Sequence, residues 1–300
     1  MSAASQYVRL STGFNMPLVG IGTFRVTGRE IIHDVLDHAL CVGYMSIVLI
    51  LNFIADTAAV YRNEEDIGHS LKKLMDKYSI EREEIFITTK LSPSDNGDPR
   101  RVREAVERSL KALNLSYIDL YLIHWPGAAG IPEGDIDNIK LRSKTWEALV
   151  DLKAQGFLRS IGVSNYNISH LERLMQDCKG VRPAVNQVEL HPHYRQKELV
   201  EFCNKEGIHV QAYSSLGTST DTSLLKDPTV CRVAQELGVS PARVLLKWAL
   251  QQGIGIIPKA VQTTHIFDNF QLDFAIHESQ MDRLSSLPQH KYAWNPNNVV

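Results

Sequence analysis

Eight short apolar runs recur along the chain, and each leads to a polar or aromatic residue before a turn and a helix-like stretch. Residues 18–22 lead to Thr23, 53–55 to Asp56, 85–89 to Lys90 and 120–123 to His124; further on, 161–163 lead to Asn165, 184–185 to Gln187, 210–212 to Tyr213 and 256–258 to Lys259. Between the runs, apolar spacing near 3.6 predicts helices over 28–42, 63–78, 98–113, 140–155, 168–178, 196–206 and 241–252. Strands alternating with helices of this length require a parallel sheet, and eight of them close it into an α/β (β/α)8 TIM barrel. Three hundred residues with no linker suit one such domain over 1–300, since the barrel takes about 250 residues. A hairpin over about 7–16, turning near Gly13, is expected to close the barrel's bottom, with extra helices over 229–237 and 278–287. Asn63, Asp98 and Ser240 stand where side-chain oxygens cap helix starts, the last two just before a proline.

The carboxyl ends of barrel strands carry the chemistry of this architecture, while the amino ends carry stability. Asp56, Lys90 and His124 fall there, and Tyr61 follows Asp56 by five positions. A lysine beside a phenol favours the phenolate and should bring the Tyr61 pKa down toward neutrality. Asp56 would keep that lysine charged and in place, and a neutral His124 would hold a carbonyl oxygen between imidazole and phenol. Such a set suits a carbonyl that becomes an alkoxide. It supplies no hydride, so a cofactor must.

The remaining signals are mostly exclusions. A net charge of −2 gives no footprint for nucleic acid or an anionic membrane. The apolar segment 47–51 is too short to span a bilayer. The amino terminus lacks a basic stretch followed by an apolar one, which predicts a cytoplasmic protein. Cys41, Cys178, Cys203 and Cys231 show no metal spacing. Glu189, His191 and His193 alternate onto one side of an extended segment, yet Pro192 favours a structural strand end, and no metal is expected. Gly20-Ile-Gly22 lacks the third glycine of a dinucleotide fingerprint, so a Rossmann fold is excluded. No helix shows a second continuous apolar face, which predicts a monomer.

The motifs Asp56-Thr-Ala-Ala-Val-Tyr61, Thr89-Lys90-Leu91, Leu122-Ile123-His124-Trp125-Pro126, Ile161-Gly162-Val163-Ser164-Asn165-Tyr166, Val185-Asn186-Gln187 and Ile257-Pro258-Lys259 closely resemble those of the aldo-keto reductases. The resemblance implies NADPH bound in extended form at the carboxyl face of the barrel, and a small carbonyl substrate. It matches the tetrad to Asp56, Tyr61, Lys90 and His124. It matches Ser164, Asn165 and Gln187 to the groups that bind the carboxamide, and Tyr213 to the aromatic that stacks on the nicotinamide. Ser214, Leu216 and Lys259 match positions along the pyrophosphate and adenosine phosphate, Asn269 matches an adenine contact, and Thr23 lines the same rim. Where the family commonly has serine and arginine, this chain has Ala260 and His265, which should weaken the grip on a 2′-phosphate; with Lys259 kept, NADPH is still expected over NADH. Trp125 is either core or a wall of the substrate pocket, and the resemblance favours the wall; Phe24 is a similar case. The modest loop over 127–138 predicts an open pocket for small aldehydes and activated ketones such as dicarbonyls or aromatic aldehydes.

One departure is larger. Between Gly43 and Asp56 the chain carries about eight residues more than the family pattern, an apolar insertion over about 46–53, and a closed barrel cannot absorb that number by sliding one strand. Either the extra residues leave the strand on its amino-terminal side and Asp56 keeps its register, or 47–51 takes the second-strand slot. The second case displaces Asp56 and Tyr61 and leaves a non-catalytic barrel that binds nucleotide or serves a structural role.

Overall fold

The computed structural model describes residues 7–45, 53–218 and 221–300. An antiparallel hairpin of β1 (Tyr7–Arg9) and β2 (Asn15–Pro17) precedes eight parallel strands that pair in chain order. These are β3 (Gly20–Gly22), β4 (Phe53–Asp56), β5 (Ile85–Leu91), β6 (Ile118–Ile123), β7 (Leu158–Ser164), β8 (Val185–Glu189), β9 (His209–Tyr213) and β10 (Gly255–Ile256). The last strand returns to the first, with Ile256 N donating to Leu18 O at 2.7 Å and Gly22 N to Pro258 O at 3.1 Å. The result is the expected (β/α)8 barrel.

Alternation along each strand sends one set of side chains inward. Ile54, Phe86, Leu120, Leu122 and Val185 meet there, and Leu10 and Met16 from the hairpin join the same buried cluster, so the hairpin plugs one end. Thr12 and Ser160 share a hydroxyl hydrogen bond of 2.7 Å at this plug. Close strand approach requires glycine at two inward positions. A Cβ on Gly162 would lie 2.5 Å from Val185 O, and one on Gly22 would lie 2.7 Å from Ile257 O.

Helices cover the outside: α1 (Arg29–Met45), α2 (Glu64–Tyr78), α3 (Pro99–Leu113), α4 (Asp137–Ala154), α5 (Ile168–Gln176), α6 (Lys197–Lys205), α7 (Pro228–Leu237), α8 (Pro241–Leu250), α9 (Thr263–Phe270) and α10 (Glu278–Ser285). Their apolar faces bury against the strands and one another, as Ile32, Val35 and Leu36 of α1 do with Ile67 and Leu71 of α2. Asp98 and Ser240 cap α3 and α8 as expected, accepting from Arg100 N and Arg243 N. Asn63 does not cap α2. Its side chain is buried, donates to Thr23 O and Val26 O at 3.0 and 3.1 Å, and accepts from the Thr57 hydroxyl at 2.6 Å. It ties the loops after β3 and β4 together at the barrel mouth.

Apart from Phe53, the expected insertion over 46–53 lies outside the described residues. The second barrel strand is β4 itself: Ile54 pairs with Gly20 and Phe86, and Asp56 with Gly22 and Thr88. Asp56 therefore keeps its place at the carboxyl end of the second barrel strand.

Candidate active site

Three consecutive strands converge on one rim. Asp56 closes β4, Lys90 lies near the end of β5, and His124 follows β6. After Asp56 the backbone continues through Thr57 N to Thr88 O at 2.9 Å, then folds into one short 3-10 turn, Ala59–Tyr61, which stops at Arg62 with φ of 58°. That turn carries Tyr61 back over the strand ends, where the Lys90 ammonium sits 5.1 Å from its ring centroid. The Tyr61 and His124 rings meet edge-on, with centroids 5.7 Å apart.

Lys90 is 0% exposed, a position an ammonium holds only when paired. It donates to Asp56 Oδ1 at 2.6 Å and to Thr57 O at 2.8 Å. Burial works against the charged form, but Asp56 and then Tyr61 outweigh it, so the Lys90 pKa stands above its ordinary value. Asp56 is fixed from the other side too. Gln187 Nε2 donates to its Oδ2 at 2.7 Å and to Gln211 Oε1 at 2.8 Å, using both amide protons.

Tyr61 differs from the sequence expectation. Burial pushes the phenol up, Lys90 pulls it down by charge and hydrogen bond, and the Asp56 charge adds to the upward push; the phenol ends above its ordinary value. Lys90 is neutralised by its own carboxylate, so it cannot offset the loss of water around the phenol. Tyr61 thus holds its proton throughout the neutral range. Burial, with Lys90 second, pushes His124 down to about 3, so its imidazole is neutral. A protonated phenol and a neutral imidazole facing one space can both present a hydrogen-bond donor to a carbonyl oxygen.

Beside this group lies a polar ledge at the ends of β7, β8 and β9. Ser164 Oγ donates to Gln187 O at 2.8 Å, and Asn165 Nδ2 donates to His124 O and to Ser164 Oγ, both at 3.0 Å. Tyr213 OH donates to Asn165 Oδ1 at 2.6 Å, leaving the ring half-buried at the edge of the ledge. Past it, Ser214 takes a left-handed φ of 52° and Leu216 is half-buried, while Ser215 Oγ is buried with no partner. Thr23 is committed elsewhere, its hydroxyl donating to Asp56 O at 2.9 Å.

The adenosine-end candidates sit on and before α9, a helix the sequence reading did not anticipate. Lys259 and His265 are exposed, Ala260 and Asn269 buried. The first turn of α9 has neither an acidic residue nor a side-chain cap, so its amides and positive dipole end stand beside Lys259. Amide and hydroxyl groups on a ledge, an aromatic ring at its edge, an unpartnered serine oxygen and an uncapped helix start fit a nicotinamide dinucleotide in an extended path.

At the mouth, Phe24 packs on Tyr61 with centroids 5.0 Å apart, and Trp294 meets Phe24 edge-on at 6.3 Å. Phe24 is 40% exposed and Trp294 65%. Trp125 is half-buried, its carbonyl held by Asn96 Nδ2 at 3.4 Å. Sequence reasoning did not place Gln211 or Trp294 at the site, and it read Asn63 only as a helix cap. Gln211 had a usable signal, since it alternates with Tyr213 on one inward face of β9. Among the described residues no group of three or more His, Cys, Asp or Glu could hold a metal ion. Glu189 and His191 bond to each other at 3.0 Å instead.

A model of the Aldo/keto reductase family matches residues 19–288. Aldo-keto reductase family 4 member C11 of Arabidopsis thaliana is 39% identical over 293 residues, covering 94% of this chain and 89% of its own. Glyoxal reductase of Bacillus subtilis (strain 168) is 38% identical over 281 residues, covering 93% and 92%. The solved structure of aldose reductase from Schistosoma japonicum superposes with a TM-score of 0.84 at 31% identity, covering 98% of this chain and 96% of that one.

Proposed function

The chain belongs to the aldo/keto reductase family, and from that premise we propose that it reduces small aldehydes and activated ketones to alcohols with NADPH, Tyr61 giving the proton. The carrying observation is the Lys90 ammonium, buried between Asp56 Oδ1 at 2.6 Å and the Tyr61 ring at 5.1 Å, beside a neutral His124. The register of Asp56 against Gly22 and Thr88 favours this reading over a displaced, non-catalytic barrel.

Each side chain has a separate task. A carbonyl oxygen between Tyr61 and His124 receives a hydrogen bond from each, and both strengthen as negative charge gathers on it. Tyr61 then releases its proton to the forming alkoxide, and Lys90 stabilises the phenolate left behind. Asp56 keeps Lys90 charged and aimed. The reduced nicotinamide, when bound, supplies the hydride. Ser164, Asn165 and Gln187 would hold its carboxamide, with Tyr213 against the ring. Ser214, Leu216, Lys259, the start of α9 with His265, and Asn269 would hold the phosphates and adenine.

Substrate scope follows from the mouth. Phe24, Trp125 and Trp294 offer apolar and aromatic faces, which suit aromatic aldehydes, and the glyoxal reductase relative supports a dicarbonyl such as methylglyoxal. A cytoplasmic setting is part of the proposal; no helix among the described residues is long and apolar enough to cross a membrane. The test is loss of reduced-nicotinamide absorbance when purified protein meets methylglyoxal or 4-nitrobenzaldehyde, with NADPH and NADH compared. Turnover with NADPH supports the proposal. Binding of NADPH without turnover of any aldehyde or ketone in a broad panel would overturn it.

A further inference from the structure

The final ten residues cross the barrel mouth as a strap fastened at both ends. At its start, Glu189 at the end of β8 has a side chain that is 0% exposed, and four donors converge on it. Oε2 accepts from Lys291 Nζ at 2.5 Å and Ala293 N at 3.0 Å; Oε1 accepts from Tyr292 N at 2.6 Å and from His191 at 3.0 Å. Three of the four donors belong to three successive tail residues. At the far end, Arg142 donates to Val300 O at 2.7 Å and His170 Nε2 bonds Val299 O at 2.7 Å.

Between the fastenings Pro296 is buried and Asn297 accepts from Asn167 Nδ2 at 3.3 Å, while Trp294 and Asn295 stand exposed. Beside them, Asn165, Tyr194 and Glu189 line a small hollow with Lys291, Pro296 and Asn297 of the strap. Trp294 follows the Glu189 anchor directly, is 65% exposed, and has its described ring contact with Phe24, which in turn packs on Tyr61. A side chain with so little packing of its own takes its position from the backbone that delivers it.

We infer that Glu189 is a positioning residue: by binding Lys291, Tyr292 and Ala293 it holds Trp294 against Phe24, and so makes the site selective for carbonyl substrates bearing an aromatic tail. This rests on the reductase reading of the same site. Burial would raise the Glu189 carboxyl, but the bonds from His191 and Lys291, with the tail amide of Tyr292, outweigh it and hold the group at about 2, so the anchor stays charged wherever the fold is stable. Small dicarbonyls carry no aromatic tail to meet Trp294, so they should be indifferent to the strap.

The test compares Glu189→Gln, Lys291→Met and Trp294→Ala with wild type, using 4-nitrobenzaldehyde and methylglyoxal, together with hydrogen exchange across residues 291–295. Each variant should raise KM for the aromatic aldehyde about tenfold, the scale of one lost apolar contact, with kcat for both substrates and KM for methylglyoxal within about twofold of wild type. Glu189→Gln and Lys291→Met should speed tail exchange, and Glu189→Gln with Trp294→Ala combined should lose no more than Trp294→Ala alone. Lys291→Met removes one donor and leaves the carboxylate in place, so it decides the matter if Glu189→Gln fails to fold. Equal KM increases for both substrates, additive losses in the double variant, or faster exchange with no change in KM would overturn the inference. If wild type turns over neither aldehyde while Glu189→Gln still frees the tail, the anchor stands and the reductase reading fails.

Discussion

Gln187 and Asp56 are joined by a hydrogen bond of 2.7 Å, made to the carboxylate oxygen opposite the one that Lys90 holds. One amide thus belongs both to the ledge assigned to the nicotinamide carboxamide and to the ion pair behind Tyr61. Replacing it with an apolar side chain leaves a buried carboxylate oxygen without its donor, a loss of about 1.5–3 kcal/mol for a charged hydrogen bond. Gln187→Leu should therefore lower kcat about tenfold to a hundredfold and weaken NADPH binding as well. Steady-state kinetics and a cofactor titration check this, and an unchanged kcat would show that Asp56 needs no second partner.

His124 is neutral because burial, helped by Lys90, holds it at about 3, well under its ordinary value. Between pH 5 and 8 it should not titrate, so kcat/KM should show no acid limb near 6.5 that disappears in His124→Gln. A limb of that kind in wild type alone would mean that an imidazolium takes part.

His170 carries a stability prediction. Its Nδ1 accepts from Asn167 N at 3.2 Å and its Nε2 faces Val299 O at 2.7 Å, an arrangement that suits the neutral ring with the proton on Nε2. Burial, with Arg142 adding to it, lowers the pKa to about 4. Below an unfolded value near 6.5 the unfolded chain takes up a proton that the folded chain refuses, so stability falls as pH drops from about 6.5 toward 4. His170→Gln lacks this term. Whatever the variant loses at pH 7, it should regain about 2 kcal/mol relative to wild type at pH 5. Urea unfolding at the two pH values measures the change, and parallel losses in both proteins would contradict it.

Lys259 and the uncapped start of α9 are the described positive features at the adenosine end, with His265 where a guanidinium would give a permanent fork. Lys259→Met should weaken NADPH about tenfold while leaving NADH nearly unchanged, and His265→Arg should tighten NADPH about as much. Fluorescence titration with both cofactors distinguishes these outcomes from a general loss of binding.

The barrel and its rim were legible because one local rule, an apolar run stopped by a polar residue, repeats at every strand. Asp56, Lys90, His124, Gln187 and Tyr213 all emerged from that rule. Asn63 was misread because a cap and a loop tie look alike in sequence, and only the carbonyls of Thr23 and Val26 distinguish them. The α9 helix was missed because it opens on Thr263-Thr264-His265 and is too short to show much period. The role of Glu189 was out of reach since its tail partners stand more than a hundred residues away in sequence, in a segment without periodicity. The direction of the Tyr61 shift was lost for a different reason: sequence puts Lys90 beside the phenol but does not weigh that charge against burial.

The central claim is that Tyr61 is the acid, held protonated and backed by a buried Lys90. Single-turnover reduction of 4-nitrobenzaldehyde by the NADPH complex of Tyr61→Phe, beside wild type, tests it most directly. The predicted result is a fall in rate of about 10²–10⁴ with NADPH affinity unchanged, the scale of a lost general acid. A Tyr61→Phe rate within a few fold of wild type would place the proton donor elsewhere and contradict the assignment.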